Sequence, residues 1–278
     1  MTSSDFRDKT VLVTGAASGI GRETALAFAE RGAHVQLVDI DGVGQERTAL
    51  LCRALGAEAT TYVADVSVSD DMRRVSEAVH ERVPAVDVLV NNAGVAVLGS
   101  FVETDLADWD WIIGVNVKGV VHGCHFFVPK MIQRGAGGAV VNVASASGLA
   151  APRRMSAYGA TKFAVVGFSD VLRAELKEHG ITVATICPGI IDTPITRNAR
   201  VVGDIARDGQ FRERVQELYR KRNYTPARVA RAIVNAVERG RGVTPVTPEA
   251  WISYLGKRWW PSLIDAILGR DIVTKGRT

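Results

Sequence analysis

The run Thr10-Val11-Leu12-Val13 passes straight into Thr14-Gly15-Ala16-Ala17-Ser18-Gly19-Ile20-Gly21, and Glu23, Ala25, Leu26, Phe28 and Ala29 follow at helical spacing. A short β-branched run, a glycine turn and the start of a helix form a cradle for pyrophosphate. The free N–H groups at a helix start point at an anion, the helix dipole favours negative charge, and glycine lets backbone approach closely. The spacing here is G-x-x-x-G-x-G rather than the G-x-G-x-x-G of the dinucleotide fingerprint. Asp39 lies 18 residues beyond Gly21, close to the separation at which an acidic side chain meets the adenosine ribose hydroxyls. A carboxylate there accepts hydrogen bonds from a diol and repels a 2′-phosphate. Positions 16 to 18 carry no basic residue and position 40 is Ile, so NAD is expected rather than NADP.

Outward from this cradle, β-branched runs alternate with amphipathic stretches. Strands are expected at Thr10–Val13, His34–Val38, Glu58–Val63, Val86–Val90, Ala139–Val143 and Thr182–Ile186. The βαβα order and the near-continuous apolar runs imply an α/β protein: a single Rossmann-like domain over 1–278, with a doubly wound parallel sheet and helices on both faces. No repeat or linker-like tract interrupts it.

With 278 residues, 47% hydrophobic and 23% charged, the composition is that of a folded globular protein and excludes disordered and collagen-like chains. Cys52, Cys124 and Cys187 are too few and too far apart for a disulfide framework or a zinc site. The first ten residues carry Asp5, Arg7, Asp8 and Lys9 and lack a signal-peptide core, so a cytoplasmic location is expected. The longest uncharged stretch, Gly135 to Pro152, holds four glycines and Asn142, and reads as a buried strand and a loop rather than a membrane span. The net charge is +4. Basic residues concentrate between Arg197 and Arg241, interleaved with acidic and apolar ones as on a solvated helix face, so no nucleic-acid partner is expected. His122, Cys124 and His125 share one helix without a completing carboxylate, and no metal is expected.

Further motifs follow in order: Asn91-Asn92-Ala93-Gly94 after the fourth strand, Ser145 after the fifth, Tyr158-Gly159-Ala160-Thr161-Lys162, and Pro188-Gly189. Together with the glycine turn they resemble the short-chain dehydrogenase/reductase family over roughly Lys9 to Thr196. Ser145 stands 13 residues before Tyr158, the family's spacing, whereas Ser147 stands 11 before it.

The resemblance implies Ser145, Tyr158, Lys162 and Asn116 as catalytic residues. Tyr158 and Lys162 are i and i+4 on a helix and so share a face. A tyrosine acting as base near neutral pH needs its pKa lowered by roughly 3 units; one cation at ~5 Å supplies much of that, and Lys162 together with the positively charged nicotinamide ring would supply the whole. Ser145 would hold the substrate oxygen against Tyr158, Lys162 would also hold the nicotinamide ribose, and Asn116 would anchor a proton-conducting water. Gly15, Ser18, Gly19, Ile20 and Gly21 would bind the pyrophosphate and Asp39 the adenosine ribose. Asp65 and Val66 would border the adenine, and Asn92, Ala93 and Gly94 the ribose. Pro188, Gly189, Ile191 and Thr193 would pass the nicotinamide.

The family pattern implies a substrate-covering segment over 193–224, here basic, with Phe211, Val215, Leu218 and Tyr219 as its apolar stripe. Thr225-Pro226 opens a further helix as cap and first residue. The aromatic-rich tail, 247–278, carries Trp251, Tyr254, Trp259, Trp260, Leu263, Ile264, Ile267 and Leu268. Packing on the domain or across subunits is the preferred reading of this tail, with contact to a membrane surface or a lipophilic substrate as the alternative. The expected function is NAD-dependent interconversion of a secondary alcohol and a ketone, on a lipophilic small-molecule substrate, in a homodimer or homotetramer. The alternatives are a carbonyl reductase acting on a lipid or acyl carrier, and a catalytically silent NAD-binding regulator.

Overall fold

The structure, a computed structural model, describes residues 5–269. Its strands are β1 (Thr10–Thr14), β2 (His34–Asp39), β3 (Ala59–Val63), β4 (Val88–Asn91), β5 (Val97–Leu98), β6 (Gly138–Val143), β7 (Ile181–Cys187), β8 (Arg200–Val201) and β9 (Val243–Pro245). Seven form one parallel sheet in the order β3-β2-β1-β4-β6-β7-β9, and β5 pairs with β8 in a separate parallel ribbon. All six expected strands are present. The seventh, β9, is three residues long and ends in Pro245, so it has no periodicity to read. It pairs Thr185 with Val243 and Cys187 with Pro245 along β7.

Alternation along each strand divides the core into two layers. Val11, Val13, Val35, Leu37, Val88, Val90 and Val141 face one way, against Phe28 of the helix Gly19–Ala29 and Val229 and Ile233 of the helix Pro226–Arg239. Leu12, Leu89, Val140 and Val183 face the other, against Met72 and Val75 of Ser69–His80 and Phe127 and Met131 of Gly119–Arg134. Both faces are therefore covered, as a wholly parallel sheet requires.

The helical run Leu106–Arg134 is long and apolar enough by composition to cross a membrane, and half of its apolar window is buried inside the fold. It is a core helix. The five residues Gly114–Lys118 within it take a π-helical turn, which carries Asn116.

The basic segment after Thr193 is tethered to the body. Arg200 donates to Asp108 at 2.8 Å and its guanidinium stacks 3.6 Å above the Trp111 ring, and Asp204 pairs with Arg154. Arg214 pairs with Asp208 and Arg222 with Glu249. Of the expected apolar stripe, Phe211 is buried; the side chains of Leu218 and Tyr219 lie outside those described. The tail forms the helices Pro248–Trp259 and Pro261–Leu268. Tyr254 packs against the cluster containing Leu149, Val165 and Cys187, Ile264 is buried, and Trp251, Trp259, Trp260, Leu263 and Ile267 are exposed. The remainder of the tail, 270–278, lies outside the described residues.

Candidate active site

In an open α/β sheet a ligand crevice forms where strand order reverses, beyond the carboxyl ends of the strands. Here that point lies between β1 and β4, which pair directly. Gly15 and Gly19 both take positive φ, +67° and +54°. A Cβ at Gly15 would lie 2.8 Å from Ala93 Cα, and one at Gly21 would collide with the Gly15 carbonyl. The turn is thus folded tightly against Asn92 and Ala93. Thr14 holds them there, its hydroxyl accepting from the N–H groups of both residues at 3.0 Å, while Asn92 Nδ2 donates to the Thr14 carbonyl at 2.9 Å.

Beyond the turn, the helix Gly19–Ala29 begins without a side-chain cap and without an acidic residue in its first turn. Its N–H groups and dipole are therefore available to an anion, and the chain fits a dinucleotide pyrophosphate at this end.

Asp39 closes β2 beside the turn. One carboxylate oxygen accepts from the Ala17 N–H at 2.8 Å and the other from Asp41 N–H at 2.9 Å. Each oxygen keeps a second lone pair for a diol. Arg22 lies outside the positions weighed from sequence, yet it folds back beneath the loop and donates to the Ala17 carbonyl and, at 3.2 Å, to Thr48. Asp65 is tied into its own turn, accepting from the Ser67 N–H and hydroxyl. Val66 is buried, and its carbonyl lies 2.9 Å from His122 Nδ1.

Ser145, Tyr158 and Lys162 come together at the carboxyl end of β6. Ser145 is buried and lies close enough to the Tyr158 phenol to favour its ionised form. Ser147 is turned away: its N–H donates to Ser145 Oγ at 3.1 Å and its hydroxyl lies near the Met155 sulfur. Tyr158 and Lys162 share the helix Ser156–Leu176, with Lys162 Nζ 5.8 Å from the centre of the tyrosine ring. Lys162 is 3% exposed and donates to the Val143 carbonyl at 2.9 Å. Burial lowers its pKa to about 8.

Burial raises the Tyr158 pKa, and the nearby Ser145 hydroxyl opposes it only in part. The lowered value expected from sequence is therefore not a property of the chain alone, because the Lys162 ammonium is directed at a backbone carbonyl and desolvation dominates.

Asn116 is fully buried and acts as a strut. Its Oδ1 accepts from Val95 N–H at 2.8 Å, and its Nδ2 donates to the Val95 carbonyl and to Thr161 Oγ1, both at 3.0 Å. Both amide hydrogens are thus used within the protein. Gly94 lies beside it: a Cβ there would come 3.3 Å from Asn116 Oδ1 and 3.5 Å from Lys162 Nζ.

The strap Pro188–Thr193 leaves β7 on the same side of the sheet. Thr193 and Pro194 border the phosphate turn, since a Cβ at Gly19 would approach them at 3.5 and 3.4 Å. Pro188 accepts from Ala146 N–H at 2.7 Å, Ile191 is buried in the core, and Ile190 N–H donates to Glu249 Oε1 at 3.0 Å. Among the described residues no three His, Cys, Asp or Glu side chains gather as for a metal.

The pattern of the short chain dehydrogenase family matches residues 9–201. The chain belongs to that family. This short chain dehydrogenase is 42% identical over 253 residues to the probable oxidoreductase EphD of Mycobacterium tuberculosis, covering 90% of the chain but only 43% of that longer relative. It is 38% identical over 197 residues to D-threitol dehydrogenase of Mycolicibacterium smegmatis, covering 70% of the chain and 75% of the relative. Its fold superposes with a TM-score of 0.85 on a short chain dehydrogenase/reductase from Burkholderia phymatum solved in complex with NAD, at 30% identity over 94% of this chain and 96% of that one.

Three contributors escaped the sequence reading of this dehydrogenase. Thr14 binds the N–H groups of Asn92 and Ala93, and its position directly before Gly15 is the local signal for it. Thr161 meets Asn116 from 45 positions away, and Glu249 reaches Ile190 from 59 positions away. Neither separation leaves a trace in one sequence.

Proposed function

We propose that the protein is an NAD-dependent oxidoreductase interconverting a secondary alcohol and a ketone, with Tyr158 as general acid and base. The observation that carries this reading is the gathering of Ser145, Tyr158 and Lys162, with Lys162 Nζ 5.8 Å from the Tyr158 ring and bonded to the Val143 carbonyl, at the strand ends next to an anion-ready glycine turn. The NAD complex of the Burkholderia relative and the alcohol-dehydrogenase name of the Mycolicibacterium relative support it.

NAD, when bound, supplies the acceptor for hydride and a positive ring charge. The chain holds it through the turn Gly15–Gly21, with Asp39 on the adenosine ribose, Asp65 and Val66 at the adenine, Asn92–Gly94 along the ribose, and Pro188, Gly189, Ile191 and Thr193 at the nicotinamide. Ser145 orients the substrate hydroxyl toward Tyr158. Tyr158 removes the hydroxyl proton in oxidation and returns it in reduction. Its raised pKa in the bare chain keeps it protonated until cationic neighbours favour the phenolate. The nicotinamide ring would be the added cation, and the three donors of Lys162 would allow it to hold Val143 and still reach a ribose hydroxyl. The Asn116 strut sets the distance between Gly94 and the helix bearing Tyr158.

A lipophilic substrate fits the wall beside the base. Tyr158 packs against the buried cluster of Val97, Ile112 and Ala157, against which Val95, Trp109, Trp111 and Val202 also pack. Segment 193–224 covers this wall, tethered through the β5–β8 ribbon and the Arg200–Asp108 pair. Exposed Val121, Phe163 and Val171 on the long helices suit a homo-oligomeric interface, and three buried free cysteines suit the reducing cytoplasm.

The test is the appearance of NADH from NAD, and separately of NADPH from NADP, across polar and lipophilic secondary alcohols, run beside Tyr158→Phe. Turnover with NAD that disappears in the variant is the expected result. NAD-dependent turnover that survives Tyr158→Phe undiminished would overturn the assignment of the base.

A further inference from the structure

The strap Pro188–Thr193 does not stand alone at the edge of the crevice; the first turn of the tail helix Pro248–Trp259 is pressed against it. A Cβ at Gly189 would collide with Thr247 Oγ1 and with the Glu249 carboxylate, so only glycine fits this approach. Next along the strap, the Ile190 N–H donates to Glu249 Oε1 at 3.0 Å. The other carboxylate oxygen of Glu249 is paired with Arg222, the last residue of the helix Phe211–Arg222 in the basic segment. One side chain therefore joins the strap, the tail helix and the end of the segment above the site.

Neighbouring bonds run in parallel. The Tyr224 hydroxyl donates to the Val246 carbonyl at 2.6 Å, Val246 N–H donates to the Cys187 carbonyl at 3.1 Å, and Asp192 N–H reaches the Tyr224 carbonyl at 3.4 Å. Burial would raise the Glu249 carboxyl, but Arg222 and the Ile190 N–H outweigh it and hold the group below the usual carboxylate range, so it stays an anion at neutral pH. A charged acceptor bonds an N–H about twice as strongly as a neutral one.

We infer that Glu249 is a positioning residue: it sets the height of the Pro188–Thr193 strap over the nicotinamide half of the dinucleotide and couples that strap, through Arg222, to the segment covering the substrate. The inference rests on the dinucleotide reading proposed above. It separates Glu249 from groups that bind the adenosine half. Losing Glu249 loosens the grip on the nicotinamide end and leaves the phosphate turn and Asp39 as they are.

Calorimetric binding of NAD and of ADP-ribose, which lacks the nicotinamide, tests this in wild type, Glu249→Ala, Glu249→Gln and Arg222→Met. For Glu249→Ala the expected result is NAD binding weakened about tenfold with ADP-ribose binding unchanged. Without ligand, the backbone amide of Ile190 should also exchange hydrogen faster than in wild type. Glu249→Gln keeps an acceptor for Ile190, so it and Arg222→Met should each weaken NAD by only about threefold. These two also serve if the alanine variant does not fold. Equal losses for NAD and ADP-ribose, or no loss for NAD, would overturn the role of Glu249. Failure of wild type to bind either compound would instead overturn the dinucleotide reading, and the inference with it.

Discussion

The Lys162 ammonium donates to the main-chain carbonyl of Val143 at 2.9 Å, two residues ahead of Ser145. This bond fastens the helix carrying Tyr158 to the end of β6, and so sets Tyr158 opposite Ser145. It also buries a cation at 3% exposure, in surroundings that draw its pKa from 10.5 to about 8. If Lys162 serves the proposed reaction, it is kept at a cost to stability, of the kind seen where activity and stability compete.

Lys162→Met should therefore stabilise the protein while abolishing turnover. The folded pKa of Lys162 lies below its unfolded value, so the folded state binds fewer protons between the two. The penalty is present in full below about pH 8 and is relieved as pH rises toward 10.5. The shift corresponds to about 3 kcal/mol, and the Val143 carbonyl left without its donor offsets part of it. Urea unfolding should show a gain of about 1–2 kcal/mol at pH 7 that vanishes near pH 10. A loss of stability at pH 7 would contradict this account.

Ser145→Ala removes the hydroxyl that opposes the effect of burial at Tyr158. The tyrosine should become harder to ionise, so the rising limb of the rate of alcohol oxidation should move to higher pH, with kcat reduced about 100-fold or more. Affinity for NAD should not change, because Ser145 faces the base rather than the phosphate turn. Steady-state rates between pH 6 and 10, with NAD titrations alongside, check both parts.

Asp39→Asn keeps an acceptor for the Ala17 N–H but discards the charge that repels a 2′-phosphate. Arg22 already lies beneath the loop, bonded to the Ala17 carbonyl, and is placed to favour a phosphate once the carboxylate is gone. The ratio of kcat/KM for NAD over NADP should fall about tenfold or more. An unchanged ratio would show that the preference lies elsewhere.

Gly15→Ala forces an alanine to φ of +67° and drives its methyl to 2.8 Å from Ala93 Cα. Strain of about 1–3 kcal/mol is expected. The turn should also be displaced, so ADP-ribose should no longer bind. Thermal unfolding and calorimetry measure the two effects separately; full ADP-ribose affinity in a folded variant would argue against the close packing of the turn on Asn92 and Ala93.

How much of this was legible in one sequence depends on the range of the interaction. Strands β1, β4, β6 and β7 announce themselves because burial on both faces favours apolar runs, and β2 and the half-exposed edge strand β3 show through their β-branched and aromatic residues. The glycine turn, Asp39 and the pairing of Tyr158 with Lys162 are equally local, set by a few residues and by the pitch of one helix. Strand β9 has no such pattern, since its place is decided by the open edge of β7. The rise of the Tyr158 pKa in the chain without cofactor has no local signal either, because desolvation depends on everything packed around the ring. Likewise the bonds of Asn116 to Val95 and Thr161 and the clamp of Glu249 on Ile190 join positions far apart in the chain. The sequence by itself determined the parallel sheet, the cradle and the residues brought to it; only the tertiary structure decided the protonation balance and which distant side chains hold the site in register, because burial and long-range hydrogen bonds exist only once the chain has folded.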